Sequence, residues 1–243
     1  MRYINVRFLL LISLFSLFTF SYFRPTNAMS YSKIEFVSST DWDATVSDPN
    51  VGVPAAYGKA QMVCLNHQAP ASCPDGATLY GYANSGWSAD LTPIPGAKWI
   101  WAPGVISTTS PADSQEYYFF KVINLPEPAT QGSISIAADD FAEVRVNGGV
   151  AGIIGSTTNL TTSIQAQDTL ATFDITKYLV RGENLISIRV KSGPREFGGC
   201  SNGCTYAANP AGLVFGGFIL YDSPLALDES AEPSRIFLPQ ISR

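Results

Sequence analysis

The second half of the chain alternates apolar and polar residues with a period of two, and this pattern constrains the fold more than any other feature. Ile134 and Ile136 alternate with serines, while Val144 and Val146 alternate with charged and amide residues. A period of two places one set of side chains on one face of a β-strand, so the pattern predicts two strands with matching apolar faces. We expect them to form a central hairpin around Asp139-Asp140, covered by a second sheet.

A second segment, residues 173–190, combines a helix cap with a further strand. Asp174 is placed to cap one helical turn over Ile175 to Val180, and Gly182 can end that turn in a left-handed conformation. Apolar residues then recur at every second position, which predicts another half-buried strand.

The rest of the chain also favours strands. Residues 41–95 are rich in glycine, proline, asparagine and serine, which predicts loops joining short strands, whereas residues 213–221 are apolar throughout and predict a central strand. The other predicted strands are Lys33–Ser38, Gln61–Leu65, Lys98–Ala102 and Glu116–Leu125. The sequence therefore predicts an all-β fold, an antiparallel β-sandwich with one short helical turn.

The two ends of the chain differ from this pattern. Residues 1–28 begin with Arg2 and Arg7, continue with an apolar run of about 16 residues and end in small residues, which predicts a signal peptide cleaved after Ala28. The protein is then expected to be secreted or held at the cell surface, with no membrane insertion after cleavage. We expect a sandwich over residues 29–222, loop-rich over 29–85, and a tail over 223–243 that acts as an edge strand or a sorting signal.

The charge of the expected mature chain is acidic. Residues 29–243 carry 12 lysines and arginines against 20 aspartates and glutamates, a net charge of −8. No basic run interrupts this balance, so nucleic acid is not an expected partner.

The four cysteines fit an oxidising compartment. Four cysteines allow three pairings, of which two local bridges, Cys64–Cys73 and Cys200–Cys204, are the simplest. A zinc site that includes His67 is the alternative.

Three segments carry a family resemblance: Trp99–Trp101, Ala138–Gly148 and Phe173–Val190. In these residues the chain resembles the galactose-binding-like jelly-roll superfamily, including accessory sugar-binding modules of secreted glycoside hydrolases. The resemblance spans Trp87–Tyr221. It implies a jelly-roll, non-catalytic domain that often binds sugars through loops at one end of the sandwich, and some relatives hold calcium there.

Adjacent carboxylates make Asp139 and Asp140 the first candidate ligands. They could bind calcium or accept hydrogen bonds from sugar hydroxyls, and the alternative is that they only shape a turn. Asn147 is a weaker candidate, because Asn147-Gly148 is already explained as a turn.

Aromatic side chains could stack on a sugar ring. Trp99, Trp101 and Tyr117 lie in predicted strands, where core packing is the expected role, whereas Trp87 follows Asn-Ser-Gly in a predicted loop and is expected to be exposed. Arg195 is a further ligand candidate, since it lies in a glycine-rich loop beside Cys200 and Cys204.

Catalytic motifs are weak in this sequence. It contains one histidine and no Gly-x-Ser-x-Gly elbow, so we expect a non-enzyme. The predicted function is recognition of an extracellular or cell-surface glycan, with calcium as the candidate cofactor. The alternatives are a structural or adhesive surface protein and, less favoured, a small hydrolase using two carboxylates. The sequence leaves the identity of the sugar and the oligomeric state open.

Overall fold

The computed structural model of the chain describes residues 30–52, 58–64, 77, 79–80, 87–108, 115–193 and 205–223. These residues form one α-helix, two short 3₁₀ turns (Thr176–Tyr178 and Tyr206–Ala208) and thirteen strands. The helix, α1, is Leu160–Asp168. The strands are β1 Ser30–Val37, β2 Asp43–Thr45, β3 Gly58–Lys59, β4 Gln61–Cys64, β5 Leu79–Tyr80, β6 Ile100–Trp101, β7 Glu116–Leu125, β8 Ala129–Asp139, β9 Phe141–Val146, β10 Gly149–Gly155, β11 Ala171–Asp174, β12 Gly182–Lys191 and β13 Gly212–Ser223.

The strands form two facing sheets, which confirms the predicted β-sandwich. One sheet has seven strands in the order β11-β8-β13-β6-β4-β5, with β1 also pairing with β13. The other has six strands in the order β10-β9-β12-β7-β2-β3. The pairing is antiparallel except between β4 and β5. β13 lies between neighbours on both sides, so its predicted central position is confirmed.

The core lies between the sheets and is supplied by the alternating positions. The inward-facing apolar residues of β8, β9 and β12 are fully buried there, and they include Ile134, Ile136, Val144, Val146, Ile186 and Ile188. Each such side chain removed from water contributes about 1.5–3 kcal/mol, so this repeated burial is the main force that holds the sheets together. Trp99, Trp101 and Tyr117 are also buried, which confirms that they belong to the core.

The predicted hairpin around Asp139-Asp140 is wrong. β8 pairs with β11 and β13 in one sheet, while β9 pairs with β10 and β12 in the other, and only Asp140 lies between the two strands. The chain therefore crosses from one sheet to the other at this point. The alternation specified which face of each strand is buried. It did not specify the sheet, because two strands with matching apolar faces can lie side by side in one sheet or face each other across the core.

The next turns agree with the sequence prediction in part: the helical turn is shorter than the predicted 175–180, and its C-cap is Leu179, so the predicted role of Gly182 in ending it is wrong. Asn147 and Gly148 have φ values of 51° and 81° and join β9 to β10, so their positive φ makes the tight hairpin turn. The Asp174 carboxylate accepts a hydrogen bond from the Thr176 amide at 2.8 Å, at the start of the Thr176–Tyr178 turn. Gly182 has a φ of 90° and begins β12.

Helix α1 was not predicted. Its sequence is mostly polar, and its buried residues are Ser163, Ala166 and Gln167, so no apolar stripe marks it. The helix begins because the Asn159 side chain accepts a hydrogen bond from the Thr162 amide at 3.1 Å. It contacts β8 and β10, beside the crossing between the sheets.

Several sequence predictions lie outside the described residues: the signal peptide, the 224–243 part of the tail, His67, Arg195, Cys73, Cys200 and Cys204. The disulfide pairing therefore stays a prediction. Among the helices of the described residues, none has the length and apolar character needed to cross a membrane.

Candidate functional site

The crossing between the sheets brings three predicted site residues together. The Trp87 indole N–H donates to Oδ2 of Asp139 at 2.8 Å, and the indole ring stacks on Trp99 with 4.5 Å between ring centroids. Asp139 and Asp140 are joined by a cis peptide bond, and both are almost fully buried. We call Trp87, Asp139 and Asp140 the crossing cluster.

Asp140 is fully engaged by donors from the protein. One carboxylate oxygen accepts from the Ser163 hydroxyl of α1, and the other accepts from the Gly193 amide after β12. Its backbone carbonyl accepts from the Ser156 amide at 3.1 Å. Asp140 thereby ties α1 and the end of β12 to the crossing.

The two carboxyls share one buried environment. Burial disfavours the charged form and raises the pKa of Asp139 well above its usual value, and the neighbouring charge and hydrogen bond of Asp140 raise it further. The Trp87 hydrogen bond lowers this pKa, but its effect is the smaller one. Burial beside a second carboxyl therefore favours the neutral form of Asp139.

This geometry corrects the predicted exposure of Trp87. The side chain is 3% exposed, so it offers no stacking platform to a sugar. Its φ of 60° is unusual for a bulky residue and costs about 1–3 kcal/mol, which the stack with Trp99 and the bond to Asp139 offset. A sequence pattern of small residues before Trp87 indicated a loop correctly, but it carried no information about which surface the loop covers.

The crossing cluster does not fit calcium as it is arranged. A calcium site needs six to eight oxygen ligands, largely ionised, whereas Asp139 favours its neutral form and both oxygens of Asp140 already accept from protein donors. In the part of the chain that the structure describes, no three acidic, histidine or cysteine side chains are grouped to hold a metal.

Asn147 lies away from this cluster. Its side-chain amide donates to the Tyr178 carbonyl at 2.8 Å and to Oδ1 of Asn184 at 2.9 Å. Its own oxygen accepts from the Leu185 amide at 2.9 Å. These bonds fix the hairpin turn against β12, so a structural role explains Asn147.

A groove on the outer face of the seven-stranded sheet was not predicted from the sequence. Its volume is about 310 Å³. Its polar wall is a row of hydroxyls on β8 and β11, where Ser135 and Thr172 hydrogen-bond to each other at 2.7 Å, and Ser133 continues the row. The half-buried ring of Phe218 on β13 lies directly opposite Ser133.

The other end of the groove is formed by residues 87–97, a segment that lies on the outer face of the sheet and that we call the strap. Its Pro93, Ile94 and Pro95 line the groove. A Cβ added at Gly216 would lie 2.7 Å from Ile94, and one added at Gly212 would lie 2.5 Å from the Trp87 ring. Gly212, Gly216 and Phe218 share one face of β13, because alternate residues of a strand point the same way. The strap therefore runs along β13 from the crossing cluster to the groove.

The serines and the β13 residues were each visible in the sequence, as the polar face of β8 and as a strand. The signal that could have revealed the groove is the glycine pair Gly216-Gly217 within an otherwise large-residue strand, since glycine in a strand marks close approach of another segment.

The outer face of the six-stranded sheet carries a charged network instead. Glu143, whose side chain is 6% exposed, accepts from Arg145 at 2.5 Å and from Arg189 at 3.0 Å. Arg189 also lies 3.6 Å from Glu116. Lys191 hydrogen-bonds to Glu116 and lowers its pKa, with Tyr118 as a further donor. These carboxylates are neutralised by neighbouring cations, which is typical of a structural network rather than of a general acid.

No family model and no curated protein matches the sequence. Among solved structures, the chain is similar to part of an α-L-rhamnosidase from Streptomyces avermitilis, with 19% identity over 51% of this chain and 11% of that one, at a TM-score of 0.37. It is also similar to a Ruminococcus gnavus β-glucuronidase, with 12% identity over 80% of this chain and 29% of that one, at a TM-score of 0.35. A third match is a putative β-galactosidase from Bacteroides fragilis, with 15% identity over 76% of this chain and 23% of that one, at a TM-score of 0.34. The chain thus spans less than a third of the length of each of these proteins.

Proposed function

We propose that this chain is a non-catalytic carbohydrate-binding domain and that its ligand occupies the groove beside Phe218. The observation that carries the proposal is the pairing of a half-buried aromatic ring with a row of hydroxyls across one groove. A pyranose has an apolar C–H face, which suits an aromatic ring, and hydroxyls at its edge, which can both donate to and accept from serine and threonine.

The charges of the groove favour a neutral glycan. Lys33 and Glu35 both line it, and they pair with each other, so neither charge is left to select an ionic ligand. The Lys33 ammonium lies 5.2 Å from the centre of the Phe218 ring and occupies part of that face. A bound sugar then approaches along the part of the ring that faces the hydroxyls.

A protein with this function would act at the cell surface or in the medium, which is the location that the N-terminal segment predicts. We also propose that the chain belongs to the galactose-binding-like superfamily, which its sequence resembles. Calcium has no part in the proposed groove, so binding is expected to be the same with calcium and with chelator.

The test is a glycan array of neutral and acidic oligosaccharides, followed by titration of any hit. Phe218→Ala should weaken binding by about 5- to 30-fold, since stacking a sugar on an aromatic ring is worth about 1–2 kcal/mol. Phe141→Ala is the matched control, because Phe141 is a half-buried phenylalanine of the other sheet. Equal binding by both variants, or no glycan bound by the unaltered chain, would reject the groove as a sugar site.

One observation favours the alternative of a structural or adhesive protein. Val150 and Ile153 of β10 and Leu160 and Ile164 of the neighbouring α1 are large apolar residues that remain exposed. If the array is negative, a double variant, Ile153→Ser with Ile164→Ser, tests this surface. Self-association and cell attachment that are both unchanged in the variant would count against an adhesive role of the surface.

A further inference from the structure

We propose that Asp139 and Asp140 act as a proton-dependent clasp on Trp87, which makes Trp87 the positioning residue for the strap that forms one wall of the groove. The consequence for ligand affinity rests on the proposed function. The clasp itself concerns only the chain's own residues.

The clasp stands on the arrangement of hydrogen bonds. Asp140 accepts from the Ser163 hydroxyl at one carboxyl oxygen and from the Gly193 amide at the other. Asp139 accepts from the Trp87 indole N–H at Oδ2, and its carboxyl is buried beside that of Asp140, the next residue in the chain. Two adjacent carboxyls buried together disfavour carrying two negative charges, so we assign one proton to the pair.

The surroundings supply no positive charge. The other titratable groups that face Asp139 are Asp168 at the end of α1 and Tyr206, whose hydroxyl donates to the Ala211 carbonyl. The charge of Asp168 adds to the cost of ionising Asp139, and Tyr206, whose pKa is raised well above its usual value by burial, offers no positive charge. In the described part of the chain, no lysine or arginine forms an ion pair with either member of the carboxyl pair. Loss of the proton therefore leaves two negative charges in a buried site, which is unfavourable unless the site opens to water.

The strap is the element that can open. Trp87 is its first residue and has a strained φ of 60°, so it stays in place only while its contacts hold it. The adjacent Ser88 amide donates to Asp168 at 3.4 Å, a weaker bond at the same end. Asp139 and Gly212 are directly opposite each other on β8 and β13, and the Trp87 ring lies over that pair. The Trp87 bond by itself favours the ionised carboxyl, but burial disfavours the charge more strongly, so ionisation of Asp139 favours opening of the strap at its Trp87 end, where water can reach the carboxylate.

The groove lies at the other end of the same segment. Ile94 contacts Gly216, and the groove begins beside it with Phe218 on the same face of β13. A strap released at Trp87 loses the constraint that sets Pro93, Ile94 and Pro95 as the groove wall. The sign of the pH dependence follows from the pKa of Asp139, which is higher in the folded protein than in the unfolded chain. The clasp stabilises the closed strap fully at pH values below the pKa of Asp139 in the unfolded chain, about 4. This stabilisation is lost as the pH rises through the pKa of Asp139 in the folded protein.

Asp139→Asn separates a proton-dependent clasp from an ordinary buried contact. An asparagine oxygen can accept from Trp87 while its amide donates to Asp140, so the variant reproduces the protonated state and cannot ionise. Hydrogen exchange of residues 87–97 is measured on the full chain from about pH 5 to pH 9 for both proteins, with residues 116–125 as the internal reference. The ratio of variant to unaltered rates at each pH removes the intrinsic pH dependence of exchange.

We expect the unaltered strap to exchange progressively faster than that of Asp139→Asn as pH rises, by about tenfold per pH unit above the pKa of Asp139. The same rate ratio at all pH values would overturn the proposal. The readout needs no ligand, so it decides the clasp even if no glycan binds. If a glycan does bind, its affinity should fall with pH for the unaltered chain and stay level for Asp139→Asn.

Discussion

Trp87 donates its indole N–H to the Asp139 carboxyl at 2.8 Å, across 52 positions of the chain. The bond joins a segment that lies over the outer face of one sheet to the residue where the chain leaves that sheet for the other. It makes the crossing between the sheets a point at which the strap, α1 and the end of β12 are all held.

Substitution of Gly212 should disturb this point directly. A Cβ at this position would lie within 2.5 to 2.9 Å of three atoms of the Trp87 ring. Gly212→Ala is therefore expected to destabilise the fold by about 1–3 kcal/mol in urea unfolding. In a Trp87→Ala background the clash is gone, so the same substitution should cost much less. Equal costs in the two backgrounds would show that the indole ring is not what fills the space over Gly212.

The buried glutamate of the charged network should matter more than the surface ion pairs. Glu143→Gln removes the charge that Arg145 and Arg189 share, while each arginine keeps a second carboxylate, Asp48 and Glu116 respectively, so the expected cost is about 1.5–3 kcal/mol. Arg181→Gln is the control, because the Arg181–Glu127 pair is 3.8 Å long and its arginine is 69% exposed. That variant should change the unfolding free energy by less than about 0.5 kcal/mol. Similar losses for both variants would contradict the structural importance of the network.

The Asn147 turn allows backbone and side-chain effects to be separated. Asn147→Ala loses three hydrogen bonds and also places a β-carbon without local hydrogen bonding at a φ of 51°, so we expect a loss of about 2–3 kcal/mol. Asn147→Gly keeps the easy positive φ and loses only the hydrogen bonds. Thermal and urea unfolding of the two variants should therefore place glycine above alanine in stability. The reverse order would mean that the left-handed backbone contributes nothing here.

The cap of α1 should be a local feature. Asn159→Ala removes the acceptor for the Thr162 amide and should destabilise the helix by about 1 kcal/mol, seen as faster hydrogen exchange over residues 160–168. Asn159→Asp retains an acceptor and should exchange within about threefold of the unaltered chain. If alanine and aspartate behave alike, tertiary contacts rather than the cap fix the start of α1.

Much of the fold followed from short-range patterns. Alternation at Ile134 and Ile136 and at Val144 and Val146 identified which side chains are buried, because strand geometry allows no other arrangement with one apolar face. The Asn147-Gly148 turn and the Asp174 hydrogen bond followed from backbone chemistry, which depends only on neighbouring residues.

The site depended on partners that are distant in sequence. The two carboxyls were recognised as candidates, but their burial results from Trp87, Ser163 and Gly193 arriving from three different segments. The exposure of Trp87 was mispredicted for the same reason. Helix α1 was missed because its buried positions are small or polar and carry no periodic signal.

Although β10 and β11 were not predicted, the sequence by itself determined most of the long strands, the faces they bury, the Asn147-Gly148 turn and the residues able to share a proton or present a hydroxyl. Local sterics and the period of two suffice for these. Only the tertiary structure decided that β8 and β9 belong to opposite sheets, that the strap covers β13, and that Ser133, Ser135 and Phe218 meet in one groove. The physical reason is that apolar burial is non-directional, so many strand orders satisfy the same pattern, and long-range packing selects one of them.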